Sequence, residues 1–566
     1  MKHVHPNQIE FAFVLPDTPM FADIVAAVEA DCDLPPTRQR DMISGLNRVA
    51  KALLKPLDEV PVDTKWLQPR LAKIEPAALG ISPKSWQNAV SDARAAMAHV
   101  GIVKRRHRHI DDLSPAWRDL WKTVLAMKDQ TLSLALPRFV HFLSAVGVER
   151  EDVTQESADA FLAALERDEI SKSPTTAWRT SINAWNLAAR RIAGWPQIEL
   201  TLPRRQKICK RPDADLPPLF LEDLEAHLER MSKPDIFAEE SMARALRPHT
   251  IQAYRRQLKR FVSELLNAGV PTEELCCVSA LCDPARAEIG LRRMVAQNGG
   301  DTNKLIAEIA ALLRNLSSKL GLSTEVREQL AKLAKRVAVP AQKGMTRKNR
   351  ERLRPLQDDK TLLKLLNLPD KVFARAKGKT KPYMAALARE TALAIALLTN
   401  CPLRIKNIAE INLEQHLQHM GDGRVFLLIE EEDAKTRQPM QFELPKDLVH
   451  MLKKHLATRS PHMCAKGSVW LFPRRDGEGP ITGNALSARL KALIRKEVGI
   501  LMNAHLFRHL AALMWLDANP GCYEVARRIL GHSSTSHTIN LYSGLEAQGA
   551  TQAFAALLAQ QKGGRS

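Results

Sequence analysis

The segment 505–545 carries His505, Arg508, His532 and Tyr542 in that order, with an amphipathic helical pattern between the first pair and the second. The chain has 4 tyrosines in 566 residues, so a tyrosine ten residues after a Gly-His pair is not background. Each residue type suits one part of a phosphoryl transfer. An arginine fork grips non-bridging phosphate oxygens in a way that lysine cannot copy. An imidazole exchanges a proton near neutral pH. A phenol oxygen is a nucleophile once activated. Free tyrosine ionises near pH ~10, and cationic neighbours favour its phenolate. Working back from Tyr542, Arg404 follows closely after Pro402 and opens a helical pattern, and Lys435 sits in the segment DAKTRQPMQFELP. Arg437 is a near rival for the role of Lys435.

Other chemistries find little support in the residues. His505 and His509 are four apart, which is zinc-ligand spacing, but no Glu lies between them and no third ligand is evident. There is no GxxxxGK[ST] loop and no carboxylate cluster for two metals. Neither a cofactor nor a metal is expected. The eight cysteines are scattered without a CxxC pair, which argues against a disulfide framework and for a reducing, cytoplasmic setting. A net charge of +20 and a pI near 9.7 suggest a polyanionic partner, with nucleic acid ahead of a membrane surface. The most apolar helical run, 384–398, is broken by Arg389 and Glu390, so no bilayer span is expected. The N-terminus carries Glu10 and Asp17 and no cleavable apolar region, so no secretory signal is expected.

The positioning elements read as mainly α. Aromatics make up 5% of the chain, which disfavours an all-β fold. Residues 1–110 form a first helical unit, with Leu46, Val49, Leu53 and Leu54 at helical spacing and a helix over 85–99. It ends in the basic run 104–109. Residues 111–200 form a second unit and 216–340 a third. The strings at 139–153 and 261–275 share the frame FVxxLxxxGVxxExx, which suggests one helical module used twice. Basic linkers follow the second and third units: Arg204, Arg205, Lys207, Lys210 and Arg211 between prolines, and six cations over 343–354. The last unit, 355–556, begins helically and then changes period. Residues 424–430 and 440–444 read as a strand pair, and 469–472 as a possible third strand. This unit is expected to be α+β with a small antiparallel sheet.

The order Arg404, Lys435, His505, Arg508, His532, Tyr542 resembles the catalytic domain of the tyrosine recombinases, or phage integrases. The His-x-x-Arg box is His505-Leu506-Phe507-Arg508. The Leu-Gly-His is Leu530-Gly531-His532, and Leu471-Phe472-Pro473 is similar to a landmark before the box. The match spans roughly the last third of the chain. The upstream units resemble, far less specifically, the family's helical core-binding module, best at 247–259. One departure is Asn407, where the family usually has an acid that could orient the first arginine.

The resemblance implies site-specific recombination of double-stranded DNA, as in integration or excision of a mobile element. Tyr542 would be the nucleophile of a 3′-phosphotyrosyl intermediate. Arg404, Arg508 and His532 would hold the phosphate, and Lys435 would protonate the leaving oxygen. His505 would accept a proton or touch the phosphate. It also implies a homotetramer on paired sites, with possible accessory proteins. Phe554, Ala555, Leu557 and Leu558 in the tail form a helix face that could dock on a neighbouring subunit or on its own domain. A type IB-like topoisomerase and a non-catalytic DNA-binding descendant are the alternatives.

Overall fold

A computed structural model describes residues 14–106, 109–203, 211–233, 245–340, 342, 344–476, 478–543 and 547–563. Among these residues the only sheet has three short antiparallel strands in the order β1-β2-β3: β1 (Leu417–His419), β2 (Val425–Ile429) and β3 (Met440–Glu443). Everything else is helix, turn or loop. The mainly α reading with a small antiparallel sheet in the last unit is what the chain adopts. Residues 469–472 do not add a strand. They make an isolated bridge, Asn412 to Trp470, and a backbone bond from Leu471 to Ile411. The third strand is β1 instead, too short for its alternation to register in the sequence.

Local sequence explains where helices begin. Ser82, Ser173 and Asp283 each cap a helix N-terminus with a side-chain oxygen, and each is followed by proline in the first turn. That proline lacks only an N–H that would have no helical partner. In β2, Val425, Leu427 and Ile429 are buried while Phe426 and Leu428 are half-buried, so the sheet turns one face to the core.

The chain forms two compact units, one of residues 1–202 with 343–566, the other of residues 203–342. The first contains three apolar cores. One joins Phe21, Leu46, Trp66 and Trp86. A second, rich in tryptophan, joins Trp117, Phe139, Phe161 and Trp185. The third runs from Met345 to Tyr542 and holds the sheet. The other unit has its own core around Phe220, Phe261, Leu265 and Leu313.

The two FVxxL strings fold alike. Phe139, Val140 and Leu143 are buried on the helix Pro137–Ala145, and Phe261, Val262 and Leu265 on the helix Pro248–Asn267. Each helix is followed by a left-handed glycine, Gly147 or Gly269, and then by one turn of 3-10 helix. The basic residues 204–210 lie outside the described residues, as do His107, Arg108 and Lys343. The rest of the second basic segment is not a free linker. Residues Arg347–Leu353 form a helix, and Leu353 is buried in the core that holds the sheet.

Within the first unit, the N-terminal helices dock on the C-terminal region at one tight point. The helix Gly483–Val498 ends on Gly499 in the left-handed conformation, with φ 87°. A Cβ at Gly499 would run into the backbone of Ala78, and Arg495 one turn earlier pairs with Glu75. Gly499→Ala should therefore lose about 1–2 kcal/mol from left-handed strain alone, and more if Ala78 cannot retreat. Urea unfolding of the full chain measures this. A change below ~0.5 kcal/mol would mean that the junction is not seated on this glycine.

Candidate active site

The helix Ala504–Ala518 carries two of the candidate residues, His505 and Arg508, in its first turns. Asn503 caps it by accepting the Leu506 N–H. Arg508 is 2% exposed and buried in the core side of this helix. Its Nη1 donates to the Pro402 carbonyl at 2.6 Å, and its Nη2 to the Leu530 carbonyl. One guanidinium thus ties together the turn before Arg404 and the turn before His532. Burial, with the nearby Arg404 charge, pulls the Arg508 pKa down to about 10. A cation held this way would gain strongly from an anion.

Arg404 sits at the N-terminus of the short helix Ile405–Ala409, half-buried. Its Nη1 is buried and has no hydrogen-bond partner, and burial lowers its pKa. An unmet guanidinium N–H costs free energy until an acceptor arrives. Asn407, the departure from the family pattern, is buried and donates its Nδ2 to the Asp433 carbonyl at 3.0 Å. Asp433 lies two residues before Lys435, in the turn between β2 and β3. The amide therefore anchors the turn that carries Lys435, and a carboxylate could not make that bond.

The turn is held at its other side as well. Thr436 Oγ1 donates to the Gly531 carbonyl at 2.7 Å. Gly531 ends the helix Tyr523–Leu530 with φ 57°, and a Cβ there would collide with Met440 Sδ on β3. The glycine of the Leu-Gly-His motif is thus favoured by its left-handed backbone conformation, while the Met440 side chain could shift to admit a Cβ. His532 follows it, buried, with Nδ1 3.0 Å from Thr538 Oγ1. That bond leaves Nε2 for a ligand. Burial, then the charges of Arg508, His537 and Arg404, drives the His532 pKa down to about 3.

Tyr542 ends the helix Thr535–Tyr542 and is 1% exposed. Burial raises its pKa above the ordinary range, and the Arg508 charge opposes this only in part. Neighbouring cations alone therefore do not make it a phenolate here, contrary to the expectation from charge. Its hydroxyl lies 3.0 Å from Nδ1 of His509. His509 was set beside His505 in the sequence only as a possible zinc ligand; the fold makes it the hydrogen-bond partner of the tyrosine. The signal available was its place directly after Arg508, but the partner is 33 residues away. Burial, with His505 and Arg508 nearby, lowers its pKa to about 4. His505 packs edge-on against His509, 4.8 Å between centroids, and stays exposed. Desolvation and the charges of Arg508, Arg404 and Lys435 lower its pKa. The fold thus brings all six candidates, Arg404, Lys435, His505, Arg508, His532 and Tyr542, into one cluster and adds His509.

Residues 374–548 match the phage integrase family and form a domain of that family. Tyrosine recombinase XerC of Pseudomonas fluorescens is 24% identical over 307 residues, covering 54% of this chain and 88% of that protein. Among solved structures, XerA recombinase aligns at 15% identity over 59% of this chain and 98% of its own, with a TM-score of 0.25. The Tn1549 transposon integrase in complex with transposon right end DNA aligns at 15% identity over 58% and 98%, with a TM-score of 0.34.

Two predictions come from this geometry. Asn407→Asp should destabilise the C-terminal region by about 1–3 kcal/mol, because a buried acceptor then faces the Asp433 carbonyl. Asn407→Ala should cost less. If the Asp variant proves the more stable of the two in urea unfolding, the new carboxylate has paired with Arg404 instead. The second concerns pH. Unfolded histidine binds its proton near pH ~6.5, whereas His509 and His532 do so only near 4 and 3 in the fold. Between these limits the unfolded chain holds more protons, so stability falls as pH drops from about 6.5 towards 4. His509→Asn should lower the proton uptake on unfolding at pH ~5. Equal uptake in wild type and variant, from the pH slope of the urea midpoint, would contradict the buried neutral imidazole.

Proposed function

We propose that this protein is a DNA strand-exchange enzyme that works through a 3′-phosphotyrosyl intermediate, in the service of integration or excision of a mobile element. The observation that carries this reading is the convergence on Tyr542 of two arginines and three histidines, with Lys435 on the adjacent turn. None of the charged groups named in that cluster is a carboxylate, so its unmet need is an anion.

The chemistry runs as follows. The Tyr542 oxygen attacks phosphorus and its proton passes to an imidazole, His509 being the one in contact and His505 the more exposed neighbour. A proton acceptor must lie within hydrogen-bond reach, and a bound phosphate would raise the basicity of either ring. Arg404 and Arg508 hold the non-bridging oxygens as charge grows on them, and His532 donates from Nε2. The P–O5′ bond breaks, and Lys435 gives the leaving oxygen its proton. A 5′-hydroxyl of a second strand then reverses the step. The covalent link keeps the energy of the broken bond, so no nucleotide is consumed.

We read the chain as four domains, 1–110, 111–200, 216–340 and 355–556, on the strength of four separate apolar cores. The helical domain 216–340 would grip duplex DNA, and the domains before it could contact accessory DNA or partner proteins. The C-terminal helix Ala547–Gly563 leaves Phe554, Leu557 and Leu558 exposed at 60%, 50% and 43%. Docking of that face on a neighbour suits a tetramer on paired sites.

The test is covalent trapping on a nicked suicide duplex carrying the element's end sequence, read on a denaturing gel. Wild type should give a slow protein–DNA band and Tyr542→Phe none. Arg404→Ala should lower the rate of band formation by about 10²–10³. A band that survives Tyr542→Phe would move the nucleophile elsewhere. Relaxation of plasmid without a defined site would favour the topoisomerase reading.

A further inference from the structure

Away from the tyrosine, the helical region of residues 94–172 contains a cleft of about 820 Å³. Its walls are strongly cationic. Lys104, Arg105 and Lys172 line it with exposed side chains, and Arg167 adds a fourth cation beside Asp168. Deeper in, Glu169 is 3% exposed and accepts from both Arg106 and Arg138 on the same oxygen, Oε1. One buried carboxylate thus holds two guanidiniums in fixed positions on the wall, and the trio keeps a net positive charge. Lining residues carry seven Lys/Arg against Asp168 and Glu169.

The floor has the opposite character. Leu134 is 81% exposed and Val146 48%. Phe142 is half-buried, with its ring 5.3 Å from that of Phe161 beneath it. Apolar side chains left open inside a cationic cleft call for a ligand with both an anionic and a flat apolar part. Three occupants meet the charge, and the floor discriminates among them. The backbone of duplex DNA would satisfy the cations but would leave Leu134, Val146 and Phe142 against hydrated phosphate. An acidic peptide would have to supply carboxylates and apolar side chains at matching spacing, whereas a nucleic-acid strand repeats a phosphate and a base at every residue. A single nucleic-acid strand brings both, with phosphates along the basic rim and unpaired bases on the apolar floor. The volume of the cleft lies within the roughly 300–1,000 Å³ of ligand clefts.

From this we infer that the cleft between residues 94 and 172 is a binding site for single-stranded DNA, separate from the cluster around Tyr542. It shares no residue with that cluster and does not depend on the phosphotyrosyl reading. Strand exchange, if it occurs, transiently unpairs DNA, and this cleft would hold the released strand. Phosphates meet Lys104 and Arg105 first, because these make no ion pair among the described residues. Arg106 and Arg138, fixed by Glu169, set the depth of the next phosphate. Phe142, Leu134 and Val146 carry the bases.

The experiment uses the full chain with Tyr542→Phe, so that no cleavage intervenes. Binding of a fluorescent short oligothymidylate and of a duplex of equal length is followed by anisotropy at fixed salt. The background protein is compared with two added changes, the pair Lys104→Glu/Arg105→Glu and the exposed Leu134→Ser. Each should weaken oligothymidylate binding at least about tenfold and leave duplex binding within about twofold. Leu134→Ser is the sharper test, since it removes apolar surface without changing the charge, and a purely electrostatic contact would not feel it. Equal losses on duplex and single strand would overturn the inference in favour of a duplex contact. No loss on either would leave the cleft without a nucleic-acid role. A second readout covers a variant that misfolds: an oligonucleotide substituted with 5-bromodeoxyuridine is photocrosslinked to the unaltered cleft. Crosslinked peptides should include the helix Pro137–Ala145. Crosslinks confined to residues 203–566 would overturn the assignment.

Discussion

The Arg508 guanidinium is the fixed point on which the rest of the cluster depends. It is buried to 2% exposure and spends two donors on carbonyls from other segments, Pro402 and Leu530. Those carbonyls precede Arg404 by two residues and His532 by two, so one side chain sets the spacing of three motifs. A buried cation is costly unless its hydrogen bonds are met. Here backbone carbonyls meet them without neutralising the charge. The positive charge is thereby kept in place for an anion that the protein does not supply.

The neighbouring groups follow the same logic. Arg404 has a buried donor with no acceptor, and His505, His509 and His532 are all held towards the neutral form by burial and by the cations around them. A phosphate entering such a site reverses the sign of the local field. It lowers the cost of every guanidinium and makes every imidazole more basic. Binding and activation are therefore one electrostatic event, because the same charge that is gripped also prepares the proton acceptors. The anchors that hold the turn of Lys435, Asn407 on one side and Thr436 on the other, are neutral. They fix geometry without adding a charge that would blunt this response.

What the sequence revealed and what it hid divide along a physical line. Arg404, His505, Arg508, His532 and Tyr542 were legible because such residues are rare in this chain or stand in tight motifs, and because the helices of His505, Arg508 and Tyr542 begin on the capping residues Asn503 and Ser534. The role of His509 was hidden, since its bond to Tyr542 spans 33 residues and exists only in the folded state. The purpose of Asn407 was hidden for the same reason: read against a family pattern it looked like a loss, and in the fold it holds the Asp433 carbonyl. Strand β1 was missed because three residues cannot display a period. The apolar piece 469–472 was read as a strand, yet its backbone bonds go to Ile411 and Leu413 in a loop exchange rather than a ladder. The basic stretch before residue 354 looked like a linker because charge dominated its composition. Leu353 and Met345, which bury it in the core, are only two apolar residues among many cations.

The burial of Tyr542 sharpens what the substrate has to do. A phenol pushed above its ordinary pKa and 1% exposed is a poor nucleophile as it stands. Two changes are needed before it can attack: the hydroxyl has to reach phosphorus, and its proton needs a stronger base than His509 at a pKa of about 4. Phosphate between Arg404 and Arg508 supplies the second. The first requires movement of the helix Thr535–Tyr542, which is only eight residues long. Its N-terminal half is tied through Thr535 to Glu524 and through Thr538 to His532. The phosphate-facing end of this short helix is thus anchored to His532, and the tyrosine sits at the other end. On the proposed reading of Tyr542 as nucleophile, requiring both events together would confine attack to a phosphate already held by the arginines.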